Sequence, residues 1–207
     1  MAAKKKASKK PAKRPAKRPA KKAVKKAPKA KKPAPKPKAA AAAPAHNPWT
    51  AYANDLAREM ATTLKVMRAF PSDQAQFQPH PRSTAAIGLF HTFAVEQNAA
   101  LMAVNGNLDL SKAFSLPAPG TLGEAIDVFE RTATAVVNAT RSAKPAAWSR
   151  GQTFFVAPQT MGEVPAGAIA GMMLADQIHH RGQLSVYLRM AGGKVPSIYG
   201  PSADEPW

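Results

Sequence analysis

An all-α fold, a four-helix bundle with long crossover connections behind a disordered basic tail, is what this 207-residue sequence predicts. Three observations carry that expectation. Apolar residues recur at helical spacing in four long stretches between residues 47 and 191. The segments 106–120 and 145–162, which separate the later stretches, are long enough to cross the bundle rather than turn tightly. The charge is also lopsided. Of 30 Lys and Arg, 18 fall in residues 1–46 with no acid among them, whereas residues 47–207 hold 12 of each sign and sum to zero.

Residues 1–46 contain, besides those basic residues, 16 Ala and 8 Pro. Such a segment has almost nothing to bury, and its charges repel, so it is expected to stay disordered. A flexible polycation suits a polyanion, because each neutralised phosphate releases a condensed counterion. The paired basic residues Lys9, Lys10, Lys13, Arg14, Lys17, Arg18, Lys21, Lys22, Lys25 and Lys26 are the expected nucleic-acid contacts. With no aromatic side chain in the segment, binding should be sequence-independent and sensitive to salt. Its composition resembles the Lys/Ala/Pro-rich tails of linker histones and of histone-like bacterial proteins, which implies DNA. RNA, anionic lipid and a plain solubilising linker are the alternatives.

Other classes are excluded by what the chain lacks. Without cysteine there are no disulfides, thiolate zinc sites or cysteine nucleophiles. No run approaches 18 apolar residues, so no membrane span is expected. The basic N-terminus lacks the apolar stretch of a secretory signal and the amphipathic Arg/Ser pattern of a transit peptide. A cytoplasmic, nucleoid-associated protein is the expectation.

Asn47-Pro48 supplies an N-cap and a first-turn proline for the first helix. Trp49, Tyr52, Leu56, Met60, Leu64 and Met67 then follow at helical spacing up to Phe70-Pro71. The second helix runs from about Thr84 to Asn105, with Gly106 as its stop. Thr121-Leu-Gly-Glu124 reads as a capping box opening the third, which carries Ile126, Phe129, Ala133 and Val136 and ends before Pro145. After a short apolar run, Phe154-Phe155-Val156, the fourth and longest helix covers about 163–191 and closes at Gly192-Gly193. Met60, Met67, Met102, Met172, Met173 and Met190 are expected in the core, and Gly182 to let a neighbouring helix approach.

Of the five histidines, His46 and His80 lie at the tail junction and in a Pro-flanked loop. His91 sits in the second helix and His179-His180 in the fourth. Adjacent helical residues diverge by about 100°, so one of that pair should face the bundle and the other a different surface. Asp176 and His180 are four apart, on one face. If the second and fourth helices pack together, His91, Asp176 and His180 would converge. Two imidazoles and a carboxylate are a recognised donor set for a divalent ion with open positions.

These residues carry a resemblance. Asp176-Gln-Ile-His-His-Arg-Gly-Gln-Leu-Ser-Val-Tyr-Leu-Arg189, followed by Val195-Pro-Ser-Ile-Tyr-Gly-Pro-Ser-Ala-Asp-Glu205, resembles the signature end of the DinB-like bundle family. Pro79-His-Pro-Arg-Ser83, and His91 with Glu96, fit the same pattern over residues 47–207. The resemblance implies a DinB-like four-helix bundle, often dimeric, and in many members a zinc, nickel or iron ion held by three histidines. It matches His91 to the ligand of the second helix and His180 to the later ligand of the fourth. Asp176 stands where metal-binding relatives usually have histidine. An oxygen ligand there implies a harder site, favouring iron, manganese or zinc. Otherwise the fold is retained over a degraded site, with Asp176 paired to His180 or Arg181. Glu96 is expected as a supporting hydrogen bonder, a general base or an interhelical ion pair.

The resemblance also implies thiol-dependent transferase or hydrolase-like chemistry. The thiol would then be a small diffusible cofactor, because the chain has no cysteine. The alternative is a non-enzymatic nucleoid-associated or ligand-sensing module.

Overall fold

A computed structural model describes residues 47–207; residues 1–46, with the ten Lys and Arg assigned to nucleic acid, lie outside the described residues. Asn47 caps helix α1 (Pro48–Arg68) as expected: its Oδ1 accepts the Trp49 N–H at 3.2 Å, and its Nδ2 donates to the Ala143 carbonyl at 3.0 Å. Helix α2 spans Ala86–Asn105 and stops at Gly106, whose φ of 77° is left-handed. The Gly106 and Asn107 N–H groups bond back to the Ala103 and Met102 carbonyls. A side chain at Gly106 would also strike the Arg150 guanidinium. A one-turn helix α3 (Leu110–Ala113), capped by Asp109, follows. Helix α4 (Leu122–Ser142) opens on the expected cap, with Thr121 Oγ1 accepting the Glu124 N–H at 3.1 Å. Helix α5 (Ala166–Met190) closes the described fold. Among the described residues, no helix is long and apolar enough to cross a membrane.

The expectation of an all-α chain needs one correction. Strands β1 (Gly151–Ala157) and β2 (Thr160–Pro165) form an antiparallel hairpin just before α5. Phe154, paired with Gly162, and Phe155, paired with Met161, take opposite faces, and the ladder is irregular at Val156, which has no partner in the register. The fourth long helix therefore starts at Ala166 rather than near 163. Gln152 pins the hairpin to the end of α2, donating to the Ala103 carbonyl at 2.7 Å and accepting the Leu108 N–H at 3.1 Å. The turn is Pro158-Gln159, and Gln159 is held at φ 58°, a conformation that suits glycine. Gln159→Gly is expected to stabilise the fold by about 0.5–1 kcal/mol, seen as a Tm rise of about 2 °C; a fall in Tm would show that the turn carries no strain.

Helices α1 and α2 each pack against both α4 and α5, so the order round the bundle is α1, α4, α2, α5. The segment from 143 to 165 spans a diagonal, as expected of a crossover. The other long segment does not: 106–121 joins neighbours and folds down as α3, while residues 69–85 span the second diagonal. The core lies in two apolar layers. One gathers Trp49, Leu56, Val104, Val136, Phe154 and Ile169, and the other Met67, Phe90, Phe93, Phe129, Leu184 and Leu188. At about 1.5–3 kcal/mol per fully buried large apolar side chain, these layers fix how each helix is turned. Met67 and Met173 belong to the core, but Met172 and Met190 are 39% and 55% exposed, on the outer side of α5. Gly182 likewise faces open space rather than a neighbouring helix.

Candidate metal centre

Between the two apolar layers the bundle turns polar. Thr63 of α1, Glu96 and Gln97 of α2, and Gln177 and Arg181 of α5 are all buried at this level. Buried polar groups need partners, and a chain of hydrogen bonds supplies most of them. Gln97 Nε2 donates to Gln177 Oε1 at 2.6 Å, and Gln177 Nε2 donates to Thr63 Oγ1 at 2.9 Å. Arg181 Nη1 donates to Glu59 Oε2 at 2.7 Å, and its Nη2 to the Tyr199 hydroxyl. The Tyr199 hydroxyl in turn donates to Glu59 Oε2 at 2.7 Å, fastening the segment after α5 to α1. Tyr187 is instead a core residue, set edge-on to Phe77.

Glu96 comes off α2 into this level and meets α5. Its Oε1 lies 2.6 Å from His180 Nδ1, and Asp176 Oδ1 lies 3.7 Å from the same nitrogen. One ligand atom from each of Glu96, Asp176 and His180 lies within 4.8 Å of the others. Asp176 is half-exposed, His180 half-buried, and Glu96 only 3% exposed, so the cluster is a notch open on one side. Glu96 Oε2 is buried with no hydrogen-bond partner among the described residues. Burial pushes the Glu96 carboxyl up to about 7, the Asp176 charge adds to this, and the His180 hydrogen bond only partly offsets it. The same hydrogen bond to Glu96 raises the His180 imidazole above its ordinary value. Near neutral pH the pair therefore tends to hold a proton between Nδ1 and Oε1.

Of the three residues expected to converge, Asp176 and His180 do and His91 does not. His91 Nε2 donates to the Leu116 carbonyl at 3.1 Å, so it holds down the 106–121 segment. A spacing of five residues turns His91 about 140° from Glu96, and α2 presents Glu96 to α5 instead. Asp176 does not pair with Arg181, which is committed to Glu59. His179 points outward as the divergence of adjacent residues requires, with the Gln183 amide donating to its Nε2 at 2.8 Å.

The donor set fits a divalent ion. Two carboxylates and one imidazole, one carboxylate oxygen buried and unpartnered, suit zinc, iron or manganese.

Comparisons with known proteins agree with the fold. The family model described as the DinB superfamily matches residues 55–184. An uncharacterized protein of Bacillus subtilis (strain 168), YrdA, is 30% identical over 110 residues, which span 52% of this chain and 64% of that protein. The crystal structure of a DinB-like protein from Bacillus cereus ATCC 10987 superposes with a TM-score of 0.57 at 20% identity, covering 72% of this chain and 97% of that one. A DinB-like protein from Bacillus subtilis, YjoA, gives a TM-score of 0.57 at 16% identity over 70% of this chain and 94% of that one.

Proposed function

The chain belongs to the DinB superfamily, and on that premise we propose that it is a divalent-metal protein whose ligands are Glu96, Asp176 and His180. The observation that carries this is the clustering of one ligand atom each from Glu96, Asp176 and His180 within 4.8 Å, with Glu96 Oε2 buried and unpartnered among the described residues. A protein rarely leaves such an oxygen orphaned without a use for it. A cation there would polarise a water or a small thiol so that it gives up its proton near neutral pH. The side chains prepare for this. His180 is oriented by Glu96 Oε1, Asp176 faces solvent across the notch, and the Gln97–Gln177–Thr63 bonds hold α2, α5 and α1 in register. The proton between His180 and Glu96 must leave as the cation enters, so binding tightens with rising pH. Thiol-dependent transfer or hydrolysis is the reaction class this reading favours.

Metal content by elemental mass spectrometry tests it, on protein purified without a histidine tag. We expect close to one ion per chain, lost in His180→Ala and in Glu96→Gln and retained in His91→Ala. Unchanged metal in His180→Ala, or none in the parent, sinks the proposal.

The same reading gives residues 1–46 a tethering role on DNA, supported by their 18 basic residues and no acid. Deleting them is expected to abolish duplex binding. It should also remove a log–log salt slope of roughly −9, the value for ten neutralised phosphates. Fluorescence anisotropy at several salt concentrations checks this; equal affinity in the truncated protein rejects the tether. Pairing of two copies belongs to this reading too, because Val186 and Met190 leave an apolar stretch of α5 in solvent.

A further inference from the structure

A cleft of about 440 Å³ opens beside the cluster, between the hairpin and the first half of α5. Phe154 of β1 and Met172, Met173, Ala175, Asp176 and His179 of α5 line it. Two of these residues are polar, and both stand at the end nearest the cluster. Asp176 belongs to the cleft and to the cluster at once. The remaining wall is apolar and partly in water: Met172 is 39% exposed, while Phe154, on the hairpin face that meets α5, is buried. Gly162, paired with Phe154, adds no side chain to that face. An apolar trough that runs directly into a polar notch is the shape of a site for a molecule with two unlike ends.

We infer that this cleft seats an aliphatic or aromatic arm of the ligand whose metal-binding head meets Asp176, Glu96 and His180. The inference rests on the cation reading above and adds the class of molecule: a small amphiphile rather than a wholly polar metabolite. An arm leaving the head at Asp176 passes over Ala175, Met172 and the ring of Phe154 in turn. His179 at the rim has its Nε2 occupied by Gln183, which leaves the Nδ1 edge to meet a polar group on the arm.

The test uses the full-length protein loaded with zinc and two probes with the same head, acetohydroxamate and octanohydroxamate. The longer probe is expected to bind at least about tenfold tighter, well below the limit for fully buried methylenes because the cleft is open. Met172→Asn, polar but uncharged, should bring the ratio of the two Kd values close to one while leaving zinc content and acetohydroxamate affinity unchanged. Met190→Asn, about 27 Å farther along α5, should keep the parent ratio. A ratio near one in the parent, or a ratio untouched by Met172→Asn, overturns the inference. Should the parent take up no zinc, the cation reading fails by itself. The cleft is then judged in metal-free protein by the emission of bound 1-anilinonaphthalene-8-sulfonate. Loss of at least half the emission in Met172→Asn, but not in Met190→Asn, upholds an apolar seat, and equal emission in all three refutes it.

Discussion

Arg181→Met is expected to lower the unfolding free energy by about 3 kcal/mol, toward the lower end of what breaking a buried ion pair costs. Arg181 is 1% exposed and serves Glu59, Thr63 and Tyr199 together. Removing the guanidinium leaves the Glu59 carboxylate, whose side chain is only 16% exposed, without its counter-charge, the Tyr199 hydroxyl being its remaining donor. Partial access of water to Glu59 holds the cost down. The pair itself is not where the stability comes from, since two apolar side chains of similar volume would serve about as well. Arg181→Met with Glu59→Leu should therefore recover most of the loss in urea unfolding. A double variant as unstable as the single one would show that Arg181 acts through packing alone.

Glu96→Gln is expected to stabilise the metal-free protein at pH 8 by on the order of 2–3 kcal/mol, while destroying metal binding. The Glu96 carboxyl is pushed up to about 7 by burial, from an ordinary value of 4.5. The fold thus prefers its protonated form, and every tenfold gain in proton affinity on folding corresponds to about 1.4 kcal/mol. The contribution of Glu96 is fully favourable below pH 4.5 and is lost as pH rises to about 7. His180, also raised, works in the same direction at somewhat higher pH. Metal-free parent protein should therefore melt at progressively lower temperature from pH 5 to pH 8, and Glu96→Gln should flatten most of that slope. Calorimetry in a chelating buffer across this range decides the matter. Parallel pH profiles for the two proteins would mean that Glu96 is not held as a reluctant carboxylate.

The helices of this fold were legible because α1 and α4 are strongly one-sided. Trp49, Tyr52, Leu56 and Met67 mark one face of α1, and the Asn47 and Thr121 caps mark where each begins. Helix α2 is different. Phe90, Phe93, Ala94, Ala99, Ala100 and Val104 are buried round most of its circumference, so its sequence does not say which side meets α5. That is why Asp176 and His180 could be placed from their spacing, while His91 was expected in a position that Glu96 takes. A single acid in an otherwise apolar helix was the available signal. The hairpin was hidden for a related reason. Phe154-Phe155-Val156 puts apolar side chains on both of its faces, so it lacks the apolar–polar alternation that marks a half-buried strand.

The diagonal placement of α1 against α2, and of α4 against α5, bears on the order in which the molecule can assemble. Helix α1 ends at residue 68, but its partners begin only at residues 122 and 166. As the chain emerges during synthesis, the apolar face of α1 has nothing to pack on until more than fifty further residues have followed. Asp176 and His180 arrive on the last helix, so the cluster forms only when the whole bundle closes. Loops of this length slow a helical protein relative to one built from consecutive hairpins. The three side chains of the cluster are thereby brought together only in the finished fold, and a chain arrested before α5 presents Glu96 alone.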